Sequence, residues 1–344
     1  MSIRVGVRIP ACQSLIEFGE AVKEVEQRGF SAVWVPDSQL LWRDTYAAMA
    51  FAAAATSTIQ LGTGVSNLRT RHPSVVASAV NTVVEIAPGR VRLALGTGDS
   101  AVKLIGERPS RQVETREGVE LVRTLLSGND WKFGGREVHL RDAQGVVPII
   151  LAASGPKNVA LAGEIGDGAL LLGGASARLV EQNIVRLQEG AARVGRSLDG
   201  FETVVAAFCH VTDEPERDAG MLKPLCATVV LTGGAAALQR AGIEIDPARI
   251  PPAAYPDYSH AEDLDDAIAR LDDVISDEVA LRFAEEFCLF GPAAIVTQRI
   301  QELERAGVTE VYLRHLGSYE VPHALIDDVA GHVLPALRAS DRFS

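Results

Sequence analysis

Apolar and polar positions alternate at the start of the chain. In IRVGVRI, Ile3, Val5, Val7 and Ile9 are separated by Arg4, Gly6 and Arg8. That period of two predicts a strand with one face toward covering helices and the other toward a barrel interior. The pattern then turns helical. Ser14 with Glu17 three residues on forms a capping-box signature, and Gly29 is a natural residue just past a helix end. SAVWVPD predicts a second strand, and the Ala-rich Thr45–Thr58 a second helix. IQLGTGV predicts a third strand, followed by a helix with His72 at its N-cap, Pro73 as its first residue and Ala87-Pro88-Gly89 as its stop.

The same unit continues. RVRLALGTGD predicts strand four and Arg111–Ser127 a long helix, and WKFGGREVHL reads as an inserted hairpin. VVPIILAAS is strand five, Asn158–Ile165 a short helix, DGALLLG strand six, Leu179–Val194 a helix and TVVAAFCHVT strand seven. The helix Ala293–Ala306 then leads into VTEVYLRHL, strand eight. Eight strands interleaved with helices predict an α/β fold, a (β/α)8 TIM barrel forming one domain over residues 1–344. A doubly wound open sheet would use the same elements, but no GxGxxG turn follows strand one. Residues 241–277, with Pro251-Pro252, Pro256 and many Asp, break the rhythm. They predict an insertion between strands seven and eight that walls the substrate side.

Composition narrows the partners. The formal charge is −12 and no basic stretch stands out, which argues against nucleic acid. Cys12, Cys209, Cys226 and Cys288 are scattered without a CxxC pair, as expected of reduced thiols rather than a disulfide or zinc framework. The first residues run straight into a strand pattern, and no apolar run reaches the roughly 18 residues of a membrane span. A cytoplasmic protein with a small-molecule substrate, no membrane partner and no metal site is the expectation.

A TIM barrel carries its site at the C-terminal ends of its strands. Two of those ends read LGTG, at Leu61–Gly64 and Leu95–Gly98. Glycine lets a backbone approach a ligand closely, so two adjacent ends of this kind would form a flat wall for a planar ring; turn chemistry alone would also place glycines there. ASGPKN at Ala153–Asn158 joins a strand to a helix, where backbone N–H groups and Lys157 would hold a phosphate, with Gly173-Gly174 beside it; a plain helix start reads the same way. Asp37 ends strand two, with Trp42 five residues on; a capping Asp and a packing Trp are the simpler account. Arg8 and His315 end strands one and eight, and Tyr255 sits in the insertion.

In this order, GFSAVWVPDS, LGTGVSNLRTRHP, LALGTGDSAVKLIG, ASGPKNVALAGEIGDG and FCLFGP before AGVTEVYL resemble the luciferase-like monooxygenase superfamily. They are most similar to its coenzyme F420-dependent branch, which includes methylenetetrahydromethanopterin reductase. The resemblance implies an oxidoreductase that passes a hydride between this deazaflavin and a small organic substrate. Gly64-Val65 takes the position of a bulge with a non-prolyl cis peptide behind the ring, with Asn67 following it. Asp37 matches the acidic residue near the ring, and Gly96 leads to Asp99 at the reacting edge. Ser154, Gly155, Gly173 and Gly174 match the phosphate cradle, with Lys157 a plausible addition.

One departure bears on mechanism. Members acting on alcohols and sugar phosphates carry a His after the Asp, then a Trp, and a Glu after strand four. Here Ser38 replaces the His, Trp42 remains and Asp99 stands for the Glu. A serine hydroxyl does not exchange protons near neutral pH as an imidazole does, so reduction of an activated C=C, C=N or C=O bond fits better than alcohol oxidation. Asp37, Trp42 and Asp99 are the catalytic candidates, with Arg8, Ser38, Tyr255 and His315 on the substrate side. Asp99 would donate a proton only if burial raised its pKa, and water or substrate is an equal source. Relatives of this kind form dimers, with the Thr45–Thr58 helix as one candidate face. An FMN-dependent monooxygenase or a non-catalytic deazaflavin binder are the alternatives. A Schiff-base lyase would need a lysine inside the barrel, and none of the five lysines falls in a barrel strand.

Overall fold

The computed structural model describes residues 3–253, 255–317 and 319–340. Eight parallel strands close into a ring: β1 Arg4–Arg8, β2 Ala32–Val35, β3 Gln60–Thr63, β4 Val91–Gly96, β5 Ile149–Ala153, β6 Gly168–Leu171, β7 Glu202–Val211 and β8 Glu310–Arg314. Closure comes from β8 pairing with both β7 and β1, where Arg4 faces Glu310 and Val7 faces Leu313. The fold is the TIM barrel expected from the strand count.

Alternation decides which side chains enter the barrel. Ile3, Val5, Val7 and Ile9 pack outward with the helices, in the main apolar core. Trp34, Ala94, Ile150, Leu170, Val204 and Tyr312 are among those packed separately inside the ring. Gly6 belongs to the inner set: a Cβ there would come within 2.8 Å of both the Glu310 carboxylate and the Trp34 indole nitrogen. Nothing larger than hydrogen fits.

The first helices follow the sequence signals. α1 Leu15–Gln27 opens on the Ser14/Glu17 capping box, and Gly29 leaves it at φ 89°. α2 Thr45–Ala55 is capped by Asp44 and ends three residues earlier than expected, because Thr56 is already extended. α3 Pro73–Ile86 has His72 at its N-cap, whose Nδ1 accepts from the Ser74 N–H, a structural role. α4 Gln112–Leu126, α5 Pro156–Ile165 and α6 Ala177–Arg193 complete the outer layer up to β7. Trp131–Phe133 and Arg136–Val138 form the expected hairpin.

The excursion between β7 and β8 is larger than the expected 241–277. Helical pieces already occupy Pro215–Arg240 and recur at Leu264–Ala269 and Asp277–Phe287. They enclose a second apolar core that includes Leu222, Leu225, Tyr258, Leu271 and Phe283. Pro215–Arg240 is long and apolar enough to cross a membrane by composition, but it breaks at Gly233 (φ 91°) and packs into this core. The sequence hid Pro215–Arg240 because its Ala- and Gly-rich part carries little amphipathic contrast, whereas Asp277–Phe287, amphipathic and capped by Ser276, was simply passed over. A four-residue strand, Cys288–Gly291, also escaped notice; it pairs with the C-terminal half of β7 and anchors the returning chain.

Candidate active site

A cleft of about 450 Å³ opens at the C-terminal ends of the strands, between the barrel mouth and the helical excursion. Tyr312 lines its floor, backed from beneath by the buried Trp34 ring, with centroids 5.4 Å apart. Tyr312 Oη donates to the Gly64 carbonyl at 3.1 Å. The Gly64-Val65 peptide is cis, as the resemblance implied.

The two LGTG ends turn out to differ. A Cβ on Gly62 would lie 2.4 Å from the Trp34 ring, and one on Gly64 would lie 2.7 Å from Tyr312 Oη and 2.8 Å from Trp34 Cβ. Those glycines are demanded by the aromatic floor, not by a ligand. Gly96 instead lines the cleft beside Val65, and Gly98 turns the chain at φ 98°. Only part of the wall is therefore glycine for the ligand's sake.

Asp37 is buried on β2's exit loop. Ser66 Oγ donates to its Oδ2 at 2.6 Å while accepting from Tyr46 at 3.0 Å, and Arg71 reaches Oδ1 at 3.3 Å. Burial pushes the Asp37 carboxyl above its ordinary range, against the pull of Arg71 and Ser66. Asn67 lines the cleft, but its side-chain carbonyl is spent on the Arg69 and Thr70 N–H groups. Ser38 is buried and shares a 2.6 Å hydrogen bond with Ser100, tying the β2 loop to the β4 loop.

Asp99 departs from expectation. Its side chain is 63% exposed at the cleft rim and pairs with Lys103, so the burial an acid would need is missing. The group that approaches Trp42 is one the sequence reading passed over. His260, from the excursion, lines the cleft with its ring centroid 5.6 Å from that of Trp42. Its Nδ1 lies 2.9 Å from both Asp257 carboxylate oxygens. Burial works against the Asp257 charge, but the His260 bond and the Ser259 and His260 N–H groups hold the carboxyl below its usual range. The D-x-x-H spacing was visible, but only folding brings it to the barrel mouth.

On the β5 side, Ser154 and Asn158 line the cleft. Gly155 is the N-cap of α5, with no side chain closing the helix end and open space where a Cβ would stand. Gly173 lies close by, a Cβ there being 3.1 Å from the Ser154 carbonyl, and Gly174 has φ 127°. Gly155, Lys157, Gly173 and Gly174 flank the cleft rather than line it, and Lys157 is exposed. Tyr255 is 57% exposed and also outside the lining.

Arg8 and Arg314 reach the cleft from β1 and β8. Arg8 is buried, its Nη2 donating to the carbonyls of His315 (3.0 Å) and Gly317 (2.6 Å). Arg314 lies over the Phe208 ring at 4.2 Å. His315 sits behind Arg8 outside the lining, and burial together with the two guanidiniums drives its pKa down to about 2, so its ring is neutral.

A family profile described as luciferase-like monooxygenase matches residues 1–310. Among curated relatives, the 5,10-methylenetetrahydromethanopterin reductase of Archaeoglobus fulgidus is 29% identical, covering 90% of this chain and 92% of its own. The F420-dependent glucose-6-phosphate dehydrogenase of Beutenbergia cavernae is 35% identical over 52% of this chain and 60% of its own. The solved coenzyme F420 dependent tetrahydromethanopterin reductase from Methanopyrus kandleri superposes with a TM-score of 0.78 at 26% identity, covering 98% of this chain and 100% of that one.

Proposed function

The chain belongs to the luciferase-like monooxygenase family, and from that premise we propose that it is an oxidoreductase passing a hydride between coenzyme F420 and a small organic substrate with an activated C=C, C=N or C=O bond. The observation that carries this reading is the shape of the cleft: a wall at Gly64-Val65 and Gly96 beside an uncapped helix start at Gly155. Those features suit a flat ring with an anionic tail. Bound there, the deazaflavin supplies the hydride donor or acceptor.

The residues of the chain do the rest. Val65 and the Gly64 carbonyl, held by Tyr312, back the ring, and Asp37 with Ser66 lies beside it. Ser154 and the first turn of α5 take the tail phosphate, with Lys157 adding charge from outside. Trp42 and His260 bound the reacting space. With Ser38 engaged by Ser100 and Asp99 at the rim, His260 is the group placed to hold or pass a proton, its ring oriented by Asp257. The sequence left this role open between a buried Asp99, water and substrate, and the exposure of Asp99 weighs against the first.

A homodimer belongs to the same reading. Phe51 on α2 and Val75 on α3 are exposed, and a second copy would cover them. Sedimentation should return twice the 36.6 kDa chain mass.

Titration with coenzyme F420 and with FMN, each oxidised and reduced, tests the cofactor. Tight deazaflavin binding, weak FMN binding and bleaching of the bound deazaflavin by a substrate panel are expected. Preference for reduced FMN with oxygen consumption would overturn it in favour of a monooxygenase, and binding without any turnover would leave a deazaflavin carrier.

A further inference from the structure

We infer that Arg8 and Arg314 form an anion-recognition site for the substrate, so that the enzyme acts on molecules bearing a carboxylate or phosphate. The inference rests on the hydride-transfer reading for the word substrate, and on the following geometry for the rest.

Both guanidiniums line the cleft, on the adjacent strands β1 and β8, and neither has a carboxylate within ion-pair distance among the described residues. Arg8 is only 3% exposed, and its Nε, though buried, has no hydrogen-bond partner among the described residues. One edge of this guanidinium is held by the carbonyls of His315 and Gly317. What remains is a guanidinium that lines the cleft with its Nε unengaged among the described residues. Arg314 is held by the Phe208 ring face and makes no hydrogen bond to a protein acceptor among the described residues.

A buried positive charge is tolerated when it is paired, and two that face each other are worse than one. Burial, followed by the nearby Arg314, lowers the Arg8 pKa to about 10, which leaves it charged at neutral pH; burial lowers the Arg314 pKa as well. Glu320 and Asp99 act on this pair only from a distance. His315 is held neutral and provides no counter-charge. The missing partner is therefore an oxyanion from outside the chain, for which the planar guanidinium fork is the natural receptor.

Position separates this anion from the cofactor's own tail. In the ring of eight strands, β1 and β8 lie diametrically across the mouth from β4 and β5, where Gly96 and the Gly155 helix start stand. Beside the arginines the cleft is apolar, walled by Phe208, Leu225, Phe283 and Phe287. The fitting ligand thus has an acidic group and a hydrocarbon body.

The test uses the full chain loaded with coenzyme F420 and three probes: cinnamate, phenyl phosphate and the neutral isostere cinnamamide. Affinities are read by calorimetry for the wild type, Arg8→Met and Arg314→Met, with F420 affinity measured in parallel. At least one anionic probe should bind the wild type tenfold or more tighter than cinnamamide, and each variant should lose that preference while keeping its F420 affinity. The carboxylate or phosphate arm that wins identifies the class. Equal binding of acid and amide, survival of the preference in both variants, or no binding of any probe at millimolar concentration would overturn the inference. Failure of F420 to bind the wild type would strike the cofactor reading alone, because the anion preference is then measured on the unloaded chain.

Discussion

The barrel interior buries arginines at both ends, and the two ends treat them differently. At the N-terminal end Arg92 is almost fully buried and doubly bonded to Glu310, at 2.7 and 3.2 Å, with Glu202 at 3.1 Å and the Trp34 ring beneath its guanidinium at 4.4 Å. Trp34 Nε1 in turn donates to Glu310 at 2.8 Å. That network supplies its own counter-charges, although Arg92 Nε, like Arg8 Nε, finds no hydrogen-bond partner among the described residues. At the C-terminal end the buried Arg8 and half-buried Arg314 stand against a cleft with no carboxylate at ion-pair distance among the described residues. The same residue type is scaffold where the chain supplies the counter-charge and receptor where it does not.

Breaking the closed end should have the largest effect. Glu310→Gln leaves the Arg92 charge with only the more distant Glu202, and removing one partner of a buried pair costs about 3–5 kcal/mol. Urea unfolding should show that loss. A midpoint shift worth less than a third of it would mean that Glu202 alone suffices.

At the open end the losses should fall on catalysis. His260→Asn is expected to lower kcat by about 100-fold or more, the lower range of general acid–base contributions, with little change in stability. A pre-steady-state trace that separates binding from hydride transfer checks this. An unchanged chemical step would remove His260 from the proton path.

Acid should also expose the difference between the ends. His315 has a folded pKa near 2, against an unfolded value of 6.5. Between those values the unfolded chain binds a proton that the folded chain refuses. The His315 contribution is thus intact above pH 6.5 and falls away as pH drops toward 2. Its slope is at most about 1.4 kcal/mol per pH unit, and it should vanish in His315→Gln.

The smallest expected effect is the most discriminating. Arg314→Met removes a charge with no carboxylate partner, so its unfolding free energy should stay within about 1 kcal/mol of wild type or rise. Inorganic phosphate should raise the melting temperature of the wild type through binding linkage by more than that of this variant, because the α5 helix start takes phosphate in both. A loss as large as that of Glu310→Gln would make the two ends alike.

Much of the barrel was legible because period two and helix-capping signals are local. The Ser14/Glu17 box, the Pro73 start and the alternation in β1 all reappear where the pattern put them. Much of the excursion was not, since the Ala- and Gly-rich part of Pro215–Arg240 and the four-residue Cys288–Gly291 strand depend on packing partners rather than on their own pattern. The site divides along the same line. Asp37, Trp42, Gly64, Gly96 and Ser154 reach the cleft from strand ends, where the fold class alone directs attention. Asp99 was placed by position and proved to stand at the rim.

The sequence by itself determined the eight-strand rhythm, the strand ends that form the mouth and the break in rhythm that supplies its wall. Those properties follow from neighbours along the chain, which set dihedral preference and which face each side chain takes. Tertiary structure alone decided that Gly62 and Gly64 make room for the Trp34–Tyr312 ring pair, that His260 meets Trp42 from 218 positions away, and that, among the described residues, Arg92 has carboxylate partners while Arg8 and Arg314 do not. Pairing and desolvation of charge depend on distances between residues far apart in the chain, and those distances exist only once the barrel has closed.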